Sequence, residues 1–208
     1  MSSSDSDYFR PSEAQSTAAY DSPYDTNDTT VLARPNMDED KPAVDTHRWH
    51  VGADLGLLVL RVVLGALFLA HGLQKVFGIM GGPGIEGFAA ALTELGFQQA
   101  TLLSWVTGVS ELGAGVLLIL GLFTPAAASA VVGVMISAIW VRVDIDLFVG
   151  GVELETIYLA AGFALLFTGA GHFSLDRKSP WFRRAPAFGF LFLILALGLA
   201  AVSLFVLR

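Results

Sequence analysis

The sequence predicts an all-α integral membrane protein: several membrane-spanning helices behind a polar, acidic N-terminal tail. Three observations predict it. The 208 residues are 54% hydrophobic and only 15% charged, against about 25% charged in a typical soluble domain, and the mean hydropathy is +0.62. The charge is segregated: the first fifty residues hold Arg10, Arg34, Lys41 and Arg48 against ten acidic residues, or −6 of the formal −7. The remaining eight basic and nine acidic residues almost cancel. Beyond Val51 come apolar runs near the roughly 20 residues that a spanning helix needs.

Residues 1–50 are rich in Ser, Asp, Thr and Pro with no aliphatic run. Such a segment buries too little apolar surface to offset its ordering entropy, so disorder is expected unless another subunit orders it. Its negative charge excludes electrostatic anchoring to nucleic acid or anionic lipid and points to a protein partner. It has neither the basic nor the apolar region of a secretory signal, so the first membrane helix is expected to direct insertion.

The first span is expected at 55–77, interrupted by Arg61, His71 and Lys75. The glycine-rich segment 78–87 reads as a loop. The stretch 85–97, with Phe88, Leu92 and Leu95 at helical spacing, reads as an amphipathic helix too short to span, lying at the interface. Residues 102–122 form a second span holding Glu111, and Pro125 is placed to open the third, 126–143. After a loop at 144–151, residues 153–169 form a fourth span and 187–207 a fifth, separated by a basic loop at 172–186. The domain division is therefore a tail at 1–50, a membrane core at 51–178 and an additional helix within 179–208.

Five spans put the termini on opposite sides. Lys41, Arg48, Arg177, Lys178, Arg183 and Arg184 lie on one side, and Lys75, Arg142 and Arg208 on the other. An excess of Lys and Arg marks the cytoplasmic side, so the N-terminus is expected inside and the C-terminus outside.

An ionisable group at the bilayer centre costs at least about 2.5–3.5 kcal/mol, so each needs a partner or a task. Arg61, Gly65, Phe68, Gly72 and Lys75 recur at steps of four and three and form one stripe. Counting helical rise from the helix ends puts Arg61 and Glu111 within reach of each other, and a structural ion pair between them is expected. At the outer end the topology gathers His71, Lys75, Arg142, Asp144, Asp146, Glu153 and Glu155. Of these, Asp144, Asp146 and Glu153 read as markers of the water line, and Lys75 can snorkel. His71, Lys75 and Glu155 are candidates for proton handling or for binding a quinone headgroup. His172, in a loop, is expected to be solvated.

The absence of cysteine excludes disulfides, thiolate zinc sites and cysteine-ligated iron–sulfur clusters. His71 has no second intramembrane histidine with which to hold a haem, and no GxSxG, HExxH or Walker loop occurs. No covalently or metal-bound cofactor is expected; menaquinone or lipid remains as a ligand.

Arg61-x3-Gly65-x2-Phe68-x2-His71-Gly72-x2-Lys75-x2-Gly78, then Glu111-Leu-x-Ala-Gly115 leading to Gly121-Leu-Phe-Thr-Pro125, resembles the DoxX family. Glu155, and Thr168-Gly-Ala-Gly171-His-Phe-Ser-Leu-Asp176, resemble that family's fourth helix and exit. The resemblance covers about residues 55–178 and implies a four-helix membrane bundle in a bacterial cell membrane, to which the acidic tail and the fifth span are additions. It also implies respiratory or redox work. The expected role is an accessory subunit of a redox membrane complex, docking through residues 1–50 and the fifth helix and lying close to quinone. The alternatives are a quinone-linked oxidoreductase in its own right and a small transporter or proton path.

Overall fold

The helices form where the apolar runs lie, and their ends fall where charge, glycine or proline intervenes. The structure, a computed structural model, describes residues 51–142 and 151–208. The tail and the segment carrying Asp144 and Asp146 fall outside these residues, as do the expectations placed on them. Seven α-helices follow in order: α1 (Val51–Phe77), α2 (Gly84–Glu94), α3 (Ala100–Leu120), α4 (Thr124–Val141), α5 (Glu153–Thr168), the one-turn α6 (Pro180–Arg183) and α7 (Ala185–Phe205). A 3-10 turn at Leu175–Lys178 precedes α6. No strand occurs among the described residues.

The first span starts a turn earlier than its apolar run suggests, because Asp54 occupies the first turn of α1 with its side chain buried against the protein. Pro125 opens α4 as its lack of an N–H favours. Four helices, α1, α3, α4 and α7, are long and apolar enough to cross a membrane. The expected fourth span, α5, has 16 residues, or about 24 Å against a hydrocarbon core of about 30 Å. It still runs the length of the bundle: its start meets Arg142 at the end of α4, and the segment just after it meets Arg61 of α1.

Helices α1, α3, α4 and α5 pack as the bundle, α7 lies against α4 and α5, and α2 lies across α1 and α3. The core is formed by Leu64, Phe68, Leu118, Ala128, Val131, Leu165 and Leu166, all buried. Helix α7 touches the bundle through one stripe, Ala185, Gly189, Ala196, Ala200 and Leu204. The opposite face exposes Ile194, Leu199 and Phe205, as a helix facing lipid on most of its surface does. Its end is tied down: Gln98 N–H donates to the Leu207 carbonyl and Arg208 Nε to the Leu95 carbonyl.

The α1–α3 contact fixes the positions of the buried charges. A Cβ on Gly115 would lie 2.5 Å from the Leu69 nitrogen, and one on Gly72 would lie 2.7 Å from the Leu112 nitrogen. No side chain fits there, so the two backbones approach as only small residues allow. Gly65 faces Ile119 and Gly108 faces Val76 in the same antiparallel register. Arg61 therefore lies level with Phe123, and Glu111 level with Leu73.

Candidate functional site

Two polar groups lie at opposite ends of the bundle, and the register assigns Arg61 to one and Glu111 to the other. The expected Arg61–Glu111 ion pair is not formed. The register separates their levels by about a dozen residues, or roughly 18 Å along the axis, which no arginine side chain bridges. Counting from each helix end fails here because α1 extends past the end of α3.

Arg61, 1% exposed, turns instead to the segment following α5. Its Nη1 donates to the Ala170 carbonyl at 2.8 Å and its Nη2 to the Phe173 carbonyl at 2.6 Å. Gly121 closes α3 at φ 65°, and a Cβ there would collide with the guanidinium; glycine serves the turn and makes room for the cation. Asp54 accepts from His172 N–H at 2.8 Å, and its second oxygen lies 3.3 Å from His172 Nδ1. His172 is thus half-buried and paired rather than solvated, because Asp54 on the extra first turn of α1 reaches it.

Asp176 completes this end. Its Oδ1 accepts from Phe123 N–H and Trp181 Nε1–H at 3.1 and 2.7 Å, and its Oδ2 from Thr124 N–H and Thr124 Oγ1–H at 2.9 and 3.1 Å. A carboxylate from a distant segment thereby caps the start of α4, where unpaired N–H groups and the helix dipole favour negative charge. Phe123, at φ 49°, is held by that bond and by stacking on Trp181 at 4.6 Å. Sequence reasoning did not select Asp176; its signal was an acidic residue close behind a Gly-x-Gly turn. Arg61 through both terminal nitrogens and Asp54 and Asp176 through their carboxylates hold backbone and loop side chains, so the assignment is structural.

The other end carries the candidate site. Lys75 Nζ meets Glu111 Oε1 at 2.5 Å; the Glu111 side chain is 2% exposed and that of Lys75 24%. Phe88 of α2 lies over the ammonium, 4.8 Å from ring centroid to nitrogen, a cation–π contact in a partly desolvated place. Gly108 gives Val76 its room beside the lysine, since a Cβ there would lie 2.6 Å from Val76 Cγ2. Glu111 Oε2 is buried and finds no hydrogen-bond partner among the described residues. The lysine is therefore a partly open donor above a carboxylate with acceptor capacity to spare.

One turn before Lys75, His71 is exposed on the flank of α1 with its ring edge-on to Tyr158, centroids 6.5 Å apart. Tyr158 packs edge-on against Phe68 as well. Glu155, one turn before Tyr158 on α5, is paired with Arg142 at the end of α4. The structure thus gives each expected site residue its own partner: Lys75 has Glu111, His71 has Tyr158, and Glu155 has Arg142. These pairs share the end of the bundle where α1 and α4 finish and α5 begins. Among the described residues no group of three or more His, Asp or Glu could hold a metal ion.

The family model for DoxX matches residues 56–143. Those residues are similar to a DoxX domain. The match extends from α1 to the end of α4, so it contains Arg61, His71, Lys75 and Glu111, while Glu155, Asp176 and α7 lie beyond it. The chain is 29% identical over 128 residues to the CatD protein of Bacillus subtilis (strain 168), provisionally named an oxidoreductase; the match covers 59% of this chain and 86% of that protein. It is also 29% identical over 154 residues to an uncharacterized membrane protein of Mycobacterium tuberculosis (strain ATCC 25618 / H37Rv), covering 67% of this chain and 90% of that one. No solved structure matches the chain significantly.

Proposed function

We propose that this DoxX-like chain is an accessory membrane subunit of a respiratory or redox complex, and that Lys75, held from beneath by Glu111, faces a quinone headgroup. The carrying observation is the Lys75–Glu111 pair, a buried carboxylate with one free oxygen beside a quarter-exposed ammonium. An ion pair within a span is costly and is generally kept for a task. Lys75 can donate a hydrogen bond to a quinone carbonyl, and Glu111, buried beneath it, holds the ammonium in place. His71, exposed one turn away, can relay a proton toward the same level. Phe88 supplies an aromatic face where a quinone ring would enter. Glu155, paired with Arg142, helps keep that end of α5 against α4.

The chain has no cysteine to ligate an iron–sulfur cluster. In this reading electrons reach the quinone from a partner subunit. The provisional name of the Bacillus relative supports a redox setting, and the outward apolar face of α7 supports docking within the membrane.

The test is purification of the full chain in mild detergent, with mass spectrometry of the proteins and quinones that accompany it. A redox membrane protein and menaquinone are expected with the wild type. Lys75→Met and Glu111→Gln are expected to lower the quinone while leaving the protein partner in place. Recovery of a free chain without quinone would refute the proposal.

A further inference from the structure

Between α5 and α7 the chain must turn at the membrane surface, and this turn is unusually well fastened for a loop. Arg61 holds the carbonyls of Ala170 and Phe173, Asp54 holds His172, and Asp176 holds Trp181 and the start of α4. Ser179 Oγ donates to the Asp176 carbonyl and accepts from Phe182 N–H. These bonds fix the 3-10 turn and the single turn of α6 on the end of the bundle.

The frame carries four cations. Arg177, Lys178, Arg183 and Arg184 are all exposed, and none forms a salt bridge to a carboxylate among the described residues. The one acid in this segment, Asp176, is 2% exposed with both oxygens engaged by Phe123, Thr124 and Trp181, so it offers them nothing. Beside the cations Phe173 and Leu175 are 54% and 66% exposed. Large apolar side chains interleaved with basic ones, at the level where two membrane helices end, match a molecule with a charged head and an apolar chain.

We propose that residues 173–184 form a binding site for the phosphodiester headgroup of an anionic glycerophospholipid. The arginines can meet phosphate oxygens in bidentate fashion, while Phe173 and Leu175 lie along the upper acyl chain. Because the backbone is already fastened, binding orders only the side chains, and the lipid is retained rather than merely attracted.

The test uses the full chain, purified in a neutral detergent and stripped of lipid, then offered phosphatidylglycerol or phosphatidylcholine. Native mass spectrometry counts the molecules retained. Phosphatidylglycerol is expected at about tenfold lower concentration than phosphatidylcholine, with the preference shrinking at high salt. Arg177→Gln with Lys178→Gln, and Arg183→Gln with Arg184→Gln, should each weaken the preference, and all four together should abolish it. Exposed Gln substitutions leave the Asp176 and Arg61 bonds intact, so melting temperatures should stay at the wild-type value. Equal retention of the two lipids, or a preference that survives the fourfold change, would overturn the proposal. So would a variant pair that loses a co-purifying protein while keeping its phosphatidylglycerol, which assigns the cations to a protein partner. Quinone content is unaffected by these variants, so failure here and failure of the quinone reading are separately visible.

Discussion

Asp176→Asn removes one charge and one oxygen from a side chain that accepts four hydrogen bonds. The amide keeps one acceptor oxygen and turns the other into a donor. With the NH2 on the Oδ1 side, it opposes both Phe123 N–H and Trp181 Nε1–H. With the NH2 on the Oδ2 side it opposes Thr124 N–H, but the Thr124 hydroxyl can rotate and accept from it. The second arrangement loses one backbone bond and weakens the remaining bonds to neutral strength, so it is the one expected. A bond to a charged group contributes about 1.5–3 kcal/mol and a neutral one about 1, which puts the loss near 2 kcal/mol. Asp176→Ala deletes all four acceptors, orphans the buried Thr124 N–H and should cost about 4 kcal/mol. For a chain of this size each kcal/mol moves the melting temperature by about 2–4 °C. The expected shifts are therefore roughly 4–8 °C for Asn and about twice that for Ala. The assay is loss of helical circular dichroism in detergent at one fixed heating rate, since membrane-protein unfolding is seldom reversible. An Asn variant that melts with the wild type, or an Ala variant no worse than Asn, would refute the capping argument.

Removing Lys75 as Lys75→Met leaves Glu111 buried beside an apolar side chain and should destabilise by about 2–4 kcal/mol, less than for a fully buried pair because Lys75 is partly exposed. The double variant with Glu111→Leu should recover much of that loss, and a double-mutant cycle on melting temperatures measures the coupling. Gly115→Ala should destabilise by more than 1 kcal/mol because its methyl strikes the Leu69 backbone, whereas Gly113→Ala, with open space around it, should be neutral or stabilising by up to about 1 kcal/mol from helix propensity; thermal melts of the two separate packing from propensity. The cysteine-free chain allows single-cysteine labelling: Ser179→Cys and an added C-terminal cysteine should react from opposite faces of sealed vesicles, with Ser179→Cys on the cytoplasmic face if the Lys and Arg distribution sets orientation.

Each long helix was legible because its signal is local, whereas the 3-10 turn and α6 fall within the expected loop 172–186. Apolar runs of span length, Pro125 at a helix start and glycine clusters at helix ends follow from the solvation of individual residues and the geometry of single turns. The stripe Arg61, Gly65, Phe68, Gly72 and Lys75 likewise marked the face of α1 that meets α3. Two readings were incomplete for the same local reason. The first span was expected to begin at residue 55, yet the helix takes in Asp54, whose carboxylate accepts from His172 N–H, 118 residues away. Helix α5 was expected as a slightly short fourth span; it has 16 residues, with its start paired to Arg142 and the segment after it held by Arg61.

By itself the sequence determined that this is a multi-helix membrane protein, which helices compose it, and which few ionisable residues lie within them. It could not determine which of those residues meet. Arg61 and Glu111 come within reach of each other when each is counted from its own helix end, and pairing them is the natural inference. The tertiary register separates them, because the glycine contacts set how far α1 slides past α3, and that offset is a property of two surfaces rather than of either sequence segment. Only the packed bundle gives Glu111 to Lys75, spends Arg61 and Asp176 on the surface loop, and buries the second Glu111 oxygen without a hydrogen-bond partner among the described residues.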